Sequence, residues 1–361
     1  MNALPEIMFD THGSIGLVTL NRPEALNALT LNMVRLLDEQ LVQWAGQDDV
    51  RVVVVIGAGG RAFCSGGDVK AVALEVRAAQ EGKGESHLAQ DFFRAEYTLN
   101  NRIHSYAKPY ISLIDGIVMG GGKGISAHGS HRVVTEHTLF AMPETNIGFF
   151  PDVGGGYFLP RCPGETGTYL ALTSRRIRAI DTIYIGFATH YVPSANIPAL
   201  LDALATTGWD NRTETRGQVS AMIDQFATEP AGASELAPHR ETIDACFGHD
   251  RVEDIVAALE DEGSSFALET LNALYGMSPT SLKIALRQIR AGVGMNFSEV
   301  MTMEYRLSQA CIARPDFYEG IRAALIDKDR QPKWNPARID AVDDAQIARC
   351  FDSLGKNDLI L

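Results

Sequence analysis

Two glycine-rich segments of this sequence could hold a ligand oxygen with bare backbone N–H groups. Residues 62–68 read Ala-Phe-Cys-Ser-Gly-Gly-Asp, and residues 116–124 read Gly-Ile-Val-Met-Gly-Gly-Gly-Lys-Gly. Each follows a predicted strand, and the second opens a predicted helix, whose N-terminus favours negative charge. Two such donors on one carbonyl oxygen would form an oxyanion hole, where each donor contributes about 2.7–4 kcal/mol. Alternatively, the glycines serve only tight turns and close packing, and the spacing leaves both interpretations open.

Three acidic residues are candidates for acid–base chemistry. Glu96 lies between Phe92 and Leu99 in the apolar stripe of a predicted helix, where a carboxylate is costly unless paired and is often functional. Glu144 and Asp152 each follow a proline in a predicted loop, a position from which side chains can point into a cleft. Two carboxylates in different surroundings can divide acid and base work. The alternatives are a buried ion pair for Glu96, a solvated turn for Glu144 and a helix cap for Asp152.

Several common nucleotide and hydrolase motifs fail in this sequence. Residues 57–62 match the pattern GxGxxA, but the glycine-rich loop continues to residue 67 where a dinucleotide-binding helix would begin. Residues 117–124 lack the first glycine and the final Ser or Thr of a P-loop, and residues 124–128 miss the last glycine of GxSxG. An NAD-dependent dehydrogenase is therefore a weak alternative.

Neither a metal site nor a disulfide framework is predicted. His128 and His131 could share a helix face, but no nearby carboxylate or cysteine completes a ligand set, so we expect core or surface histidines. The thiol of Cys64 has no evident partner base, and we expect its backbone N–H to matter more than its sulfur. The five cysteines are scattered without a CxxC pair, which favours reduced thiols in the cytoplasm.

The elements that must position these groups alternate between strands and helices. The predicted elements are a hairpin over 7–20, a helix from Thr30, a strand over 51–57, a loop over 57–67, helices over 69–79 and 87–106, a strand over 110–114, a helix opened by 120–122 and two short strands within 131–141. This order predicts an α/β core. We assign residues 1–195 to that core and residues 196–361 to a mainly helical region.

The charge balance limits the classes of partner. The chain of 361 residues carries 32 basic and 45 acidic residues, a formal net charge of −13, which argues against a broad nucleic-acid surface. The sequence has no apolar run near the ~18 residues of a membrane span. The segment Met1–Thr11 has no Lys or Arg, so we expect no secretory or mitochondrial leader. A small anionic ligand is still compatible with this charge.

Four motifs, in order along the chain, resemble those of the enoyl-CoA hydratase/isomerase (crotonase) family. They are NRPEALNAL at 21–29, AFCSGGD at 62–68, DGIVMGGG at 115–122 and MPE at 142–144. The resemblance implies a spiral of ββα turns that binds a CoA thioester, with the thioester oxygen held by the N–H groups of Cys64 and Gly121. It implies CoA contacts from Arg22, Leu26, Ala28, Ala62, Gly67, Asp68 and Val69. CoA would enter as part of the substrate, with no separate cofactor.

Further segments resemble the 3-hydroxyisobutyryl-CoA hydrolases, which act in valine breakdown. These are EYTLNN at 96–101, FAMPET at 140–145, FPDVGGGYF at 150–158, SPTSLK at 278–283, EYRLS at 304–308 and LIDKD at 325–329. The hydratases of the family use two glutamates, one of which stands two residues after the GGG, where this chain has Gly124. The second hydratase glutamate matches Glu144, which is present. The resemblance therefore implies hydrolysis of a short 3-hydroxyacyl-CoA thioester rather than hydration.

The resemblance also implies roles for the acidic residues. Glu144 would attack the thioester or act as the base for water, Asp152 would orient the substrate hydroxyl or the water, and Glu96 would close the acyl pocket on the 3-hydroxyl. Glu96, Gly121, Glu144 and Asp152 are thus the expected substrate contacts. The alternatives are a hydratase or isomerase of the same family and a non-catalytic acyl-CoA-binding protein. The expected partners are the substrate and further copies of the chain, as a trimer or hexamer, and neither nucleic acid nor membrane.

Overall fold

The computed structural model describes residues 4–83, 87–209 and 215–361, and within this part the chain forms ten strands in two sheets. The strands are β1 (Ile7–His12), β2 (Ile15–Leu20), β3 (Val52–Gly57), β4 (Ala62–Cys64), β5 (Tyr110–Ile114), β6 (Ile117–Met119), β7 (His131–Val134), β8 (Leu139–Ala141), β9 (Ile177–Arg178) and β10 (His190–Tyr191). One sheet has the order β1-β2-β3-β5-β7-β10, and the other has the order β4-β6-β8-β9. In the first sheet only the hairpin β1–β2 is antiparallel.

Helices connect the strands and make up the described regular structure after β10. They are α1 (Leu31–Ala45), α2 (Val69–Gln80), α3 (Leu88–His104), α4 (Gly121–Ala127), α5 (Gly155–Phe158), α6 (Thr166–Thr173), α7 (Ala179–Tyr184), α8 (Ile197–Thr206), α9 (Thr215–Asp224), α10 (Arg240–Phe247), α11 (Val252–Glu262), α12 (Ser265–Gly276), α13 (Pro279–Gly292), α14 (Phe297–Ile312), α15 (Pro315–Ile321) and α16 (Asp344–Arg349). A five-residue π-helical turn, Arg322–Ile326, follows α15. The predicted α/β class is confirmed.

The first of two compact units comprises residues 1–67, 99–140 and 177–234. Its six-stranded sheet is built from valine- and isoleucine-rich strands, as expected for parallel strands covered on their faces. Thr30 caps α1, since its hydroxyl accepts the N–H of Met33 at 3.2 Å, as predicted. The core of this unit packs strand side chains against apolar residues of α8 and α9, including Leu200, Leu204, Val219 and Ile223. This core holds the strand ends from which the glycine-rich segments emerge.

The predicted loop over 57–67 is partly wrong, because residues 62–64 form the strand β4. This strand pairs in parallel with β6, aligning Ala62 with Ile117 and Cys64 with Val118 across a register irregularity. A three-residue strand flanked by glycines is too short to show a two-residue periodicity, and only its partner strand defines it. The pairing brings the two glycine-rich segments side by side.

The second compact unit comprises residues 68–98, 141–176 and 235–361 and is mainly helical. Its α13 is buried along most of its length, and Ile289 of α13 joins Leu159 and Ala171 in an apolar cluster. Asn296 forms a capping box with Glu299 at the start of α14. The two units interleave along the chain, so they do not follow a single boundary. The division at residue 195 stays a prediction, although the described elements after it are all helical.

Candidate active site

The first unit brings together the two predicted oxyanion donors. Gly121 is the first residue of α4, so its N–H has no acceptor within the helix. A Cβ atom built on Gly122 would lie 2.2 Å from the carbonyl oxygen of Cys64, and one on Gly66 would lie 3.8 Å from the nitrogen of Gly121. Only glycine therefore allows the start of α4 to pack this closely on the end of β4. The side-chain thiol of Cys64 is buried and donates to the Gly66 carbonyl at 3.6 Å.

The predicted CoA-binding segment 22–28 and the following Leu29 lie against the same strand end. The N–H of Leu29 donates to the Gly66 carbonyl at 2.8 Å, and the N–H of Ser65 donates to the Leu26 carbonyl at 3.0 Å. The guanidinium of Arg22 donates to the Ala28 carbonyl at 2.7 Å. The structure thus groups five of the predicted CoA contacts in the first unit: Arg22, Leu26, Ala28, Ala62 and Gly67.

The side chain of Asn27 holds this segment in place through hydrogen bonds, a role that was not predicted from the sequence. Its side chain is fully buried, and its amide nitrogen donates to the carbonyls of Ala58 and Ala62, both at 2.9 Å. Its amide oxygen accepts the N–H of Arg22 at 2.9 Å. Leu26 and Asn27 both have left-handed backbone conformations, with φ of 51° and 57°. The signal available in the sequence was the position of Asn27 inside the motif at 21–29, since a buried polar side chain must find hydrogen-bond partners.

The remaining predicted site residues lie in the second unit. Asp68 caps α2, since its carboxylate accepts the N–H of Ala71 at 3.3 Å, and Val69 is the first residue of that helix. Glu96, Glu144 and Asp152 are 2%, 4% and 5% exposed, so the solvated-turn alternative for Glu144 is wrong. Glu144 begins a 3-10 helix, and Asp152 is in the turn before α5.

These three carboxyl groups influence one another electrostatically. Burial, and then the charges of Asp152 and Glu144, raise the pKa of Glu96 well above its ordinary value of 4.5. Both causes favour the protonated form of the Glu96 carboxyl group. Its Oε1 atom has no hydrogen-bond partner in the part of the chain that the structure describes. Such a buried, unsatisfied oxygen is costly and suits a group that pairs with a ligand.

The role of Tyr97 was also not predicted from the sequence. Its hydroxyl is buried and donates to Oδ2 of Asp152 at 2.7 Å. Burial and the nearby charges of Asp152, Glu304 and Glu96 raise the pKa of Tyr97 well above its ordinary value, so the phenol stays neutral and donates. Aromatic rings surround this group: Phe93 lies 5.8 Å from Tyr97 and stacks on Phe149 at 5.2 Å. The tyrosine fixes one oxygen of Asp152.

The two histidines considered in the sequence, His128 and His131, contact neighbouring side chains. His131 is hydrogen-bonded to Ser130 and Ser220, at 2.8 and 2.9 Å, and burial lowers its pKa to about 4. The ring of His128 lies edge-on to that of His104. Among residues 4–83, 87–209 and 215–361 no group of three or more His, Cys, Asp and Glu side chains could hold a metal ion. No helix in these ranges is both long and apolar enough to cross a membrane.

The chain is similar to known proteins over nearly its whole length. The family model described as enoyl-CoA hydratase/isomerase matches residues 15–351. The chain is 49% identical to the mitochondrial 3-hydroxyisobutyryl-CoA hydrolase of Xenopus tropicalis, over 99% of the chain and 91% of the relative. The human protein of the same name is 46% identical over 99% of the chain and 91% of the relative.

Two solved structures match almost the whole chain. A carnitinyl-CoA dehydratase from Mycobacterium thermoresistibile has a TM-score of 0.88 and 40% identity, covering 97% of each chain. An enoyl-CoA hydratase from Rhodobacter sphaeroides also has a TM-score of 0.88, with 36% identity over 99% of this chain and 100% of that one. The predicted crotonase-like fold is confirmed by these similarities.

The predicted cytoplasmic location is wrong. The hydrolases from Xenopus tropicalis and from human are both named as mitochondrial. Scattered cysteines indicate only reducing conditions, and these do not identify one compartment. The charge of the segment Met1–Thr11 also does not identify the compartment, because composition alone does not determine where a protein is located.

Proposed function

The chain belongs to the enoyl-CoA hydratase/isomerase family, and from this premise we propose that it hydrolyses a short 3-hydroxyacyl-CoA thioester to the free acid and CoA. The proposed substrate is 3-hydroxyisobutyryl-CoA, an intermediate of valine breakdown. The observation that carries the proposal is the identity of 49% with a hydrolase of that name over 99% of the chain. The buried carboxyl group of Glu144 in the second unit supports it chemically.

The proposed chemistry starts at the thioester carbonyl. The N–H groups of Cys64 and Gly121 would donate to its oxygen and stabilise the negative charge that develops as the carbon becomes tetrahedral. The carboxylate of Glu144 would then either attack the carbon, giving a mixed anhydride, or take a proton from an attacking water. In both routes the carbon–sulfur bond breaks, CoA leaves as the thiol after protonation, and water supplies the new oxygen. The scheme calls for no cofactor.

The other two carboxyl groups would select and orient the substrate. Glu96, whose pKa is raised by burial and by the nearby carboxylates, would donate a hydrogen bond to the 3-hydroxyl oxygen or accept one from its hydrogen. Asp152, held by Tyr97 at 2.7 Å, would orient the hydroxyl or the water. A site that hydrogen-bonds a substrate hydroxyl rejects analogues without it, because its own buried polar groups are then left unpaired. The site should therefore prefer 3-hydroxyacyl groups.

The test is free-thiol release from a panel of short acyl-CoAs with and without a 3-hydroxyl group. We expect the 3-hydroxy substrates to be hydrolysed fastest. Glu144→Gln should lower kcat by about 10²–10⁴-fold with little change in KM, since the carboxylate acts in the transition state. The matched control is Glu241→Gln, an exposed position on α10, which should hydrolyse at the wild-type rate. Near-normal turnover by a folded Glu144→Gln protein would refute the assigned role.

A hydratase or isomerase is the second candidate, because the solved structures at 40% and 36% identity carry dehydratase and hydratase names. Gly124 leaves no side-chain carboxyl at the position of the hydratase glutamate that follows the GGG. Loss of the crotonyl-CoA double bond without release of free thiol would favour this candidate. A protein that binds acyl-CoAs, as seen by a raised melting temperature, yet turns none over would instead be a non-catalytic binding protein.

The CoA moiety and the assembly complete the proposal. CoA would lie along residues 22–28 and 62–69, where backbone N–H groups and Arg22 could bind its phosphates despite the net charge of −13. We propose a trimer or hexamer as the assembly. Light scattering on the purified protein measures its mass directly, and a monomer would contradict this part of the proposal.

A further inference from the structure

Glu304, a fully buried glutamate outside the predicted site, accepts hydrogen bonds from the backbone that follows Asp152. Oε2 of Glu304, on α14, accepts the N–H of Gly154 at 2.7 Å. Its Oε1 accepts the N–H of Gly156 at 2.8 Å. The same Oε1 accepts Nε2 of Gln288, on α13, at 2.9 Å. Both oxygens of this carboxylate are therefore used by the segment that follows Asp152 and by one side chain of the neighbouring helix.

Gln288 donates a hydrogen bond to the backbone that precedes Asp152. Its Nε2 also donates to the carbonyl of Pro151 at 2.7 Å, and its side chain is fully buried. Glu304 and Gln288 together thus hold the backbone at Pro151, directly before Asp152, and at Gly154 and Gly156 after it. The carboxylate of Asp152 is fixed in turn by the hydroxyl of Tyr97.

The backbone between these anchors has an unusual conformation. Val153 has φ of 49° and Gly154 has φ of 83°, two consecutive residues in the left-handed region. A β-branched residue rarely adopts this strained conformation, which persists only where the surroundings impose it. Glu304 accepts the N–H of Gly154, directly after Val153, and the N–H of Gly156, and these two hydrogen bonds supply that constraint. The turn would otherwise relax and redirect the side chain of Asp152.

Stability alone does not explain a carboxylate at this place. Desolvating a buried carboxylate costs several kcal/mol, and well-packed apolar residues often replace buried charges with no loss of stability. The charge of Glu304 also contributes to raising the pKa of Tyr97, which keeps the phenol a donor to Asp152. A group that fixes the turn and also faces the Tyr97–Asp152 pair is better explained by the geometry it imposes.

We propose that Glu304, assisted by Gln288, is a positioning residue of the thioesterase reaction, setting the direction of the Asp152 carboxylate through the backbone of residues 151–156. The inference rests on the proposed hydrolase function and on the role of Asp152 in it. Glu304 does not touch the substrate. Its removal should therefore lower the rate only where Asp152 is present to be misdirected.

A double-mutant cycle of Glu304→Gln and Asp152→Asn tests this inference, with kcat and KM measured by free-thiol release. Glutamine keeps the size but replaces one acceptor with an NH2 group that faces a backbone N–H. We expect Glu304→Gln to lower kcat roughly 10- to 100-fold, with KM changed less than about threefold, as for a misplacement of the order of 1 Å. In the Asp152→Asn background, Glu304→Gln should lower kcat by less than about threefold, because the Asp152 carboxylate that Glu304 positions is already absent.

Other variants keep the test decisive. Glu299→Gln, the same change at an exposed position of α14, is the matched control and should leave kcat unchanged. Gln288→Met keeps the length of the side chain but removes both of its hydrogen bonds, and should give a smaller loss with the same lack of additivity. It takes the place of Glu304→Gln in the cycle if the latter does not fold.

The outcomes separate this inference from the proposed function. Equal fold losses from Glu304→Gln in the wild-type and Asp152→Asn backgrounds would indicate a general structural role and overturn the inference. A wild-type rate in folded Glu304→Gln would overturn it as well, while leaving hydrolysis intact. If the wild-type protein releases no thiol from any acyl-CoA in the panel, the proposed function fails first.

Discussion

Replacing Glu96 with glutamine should stabilise the protein, and should do so more strongly as the pH rises. In the folded protein, burial and the charges of Asp152 and Glu144 raise the pKa of Glu96 well above 4.5. In the unfolded chain the carboxyl group titrates near its ordinary value. Above pH 4.5 the unfolded state therefore gains free energy by releasing a proton that the folded state retains. Wild-type stability from this group is complete below pH 4.5 and is lost as the pH rises towards the folded-state pKa.

The magnitude follows from the proton linkage. Each pH unit between the two pKa values of Glu96 costs the wild-type protein about 1.4 kcal/mol of unfolding free energy. Glutamine has nearly the same size and stays neutral, so the variant escapes this cost. The advantage of Glu96→Gln over wild type should be small near pH 4.5 and should grow with pH until the pH reaches the pKa of Glu96 in the folded protein.

Urea unfolding of both proteins at a series of pH values measures this difference. Glu241→Gln is the control, since Glu241 is exposed on α10, and its difference from wild type should not change in this way. A stability difference for Glu96→Gln that is independent of pH, or that falls as the pH rises, would refute a raised pKa of Glu96 in the folded protein. The same variant should still bind 3-hydroxyacyl-CoA, because an amide can also hydrogen-bond the hydroxyl.

Two further substitutions test the first unit. Gly122→Ala would place a Cβ atom 2.2 Å from the Cys64 carbonyl oxygen, so the start of α4 must shift and kcat should fall at least about tenfold. Gly276→Ala, at a position with no atom within 4 Å, is its control, and equal activity of the two variants would contradict the packing argument. Asn27→Ala removes the hydrogen bonds to Ala58, Ala62 and Arg22, at about 1–3 kcal/mol for each buried group left unsatisfied. We expect Asn27→Ala to have a lower melting temperature and to bind CoA about tenfold more weakly, as measured by calorimetry. An unchanged CoA affinity would show that this segment does not contribute to CoA binding.

Much of the local structure of the first unit could be read from the sequence. The hairpin, the capped helix α1 and the strands β3 and β5 have strong periodicity, caps or apolar runs. The burial of Glu96 followed from the apolar stripe of α3, since residues three and four apart share a helix face. Strand β4 was missed because its three residues have no periodicity of their own, and its pairing partner β6 is more than 50 residues away.

Residue types and their order along the chain determined the α/β class, the family and the list of acidic and glycine-rich candidates, because these depend on local pattern and motif. The tertiary structure alone decided that Asn27 binds the 58–62 loop, that Tyr97 holds Asp152 and that Glu304 grips residues 154–156. The last of these joins residues 150 positions apart. Hydrogen bonds between distant segments leave no spacing in the chain, and whether a buried carboxyl group keeps its proton depends on neighbours that only the folded protein supplies.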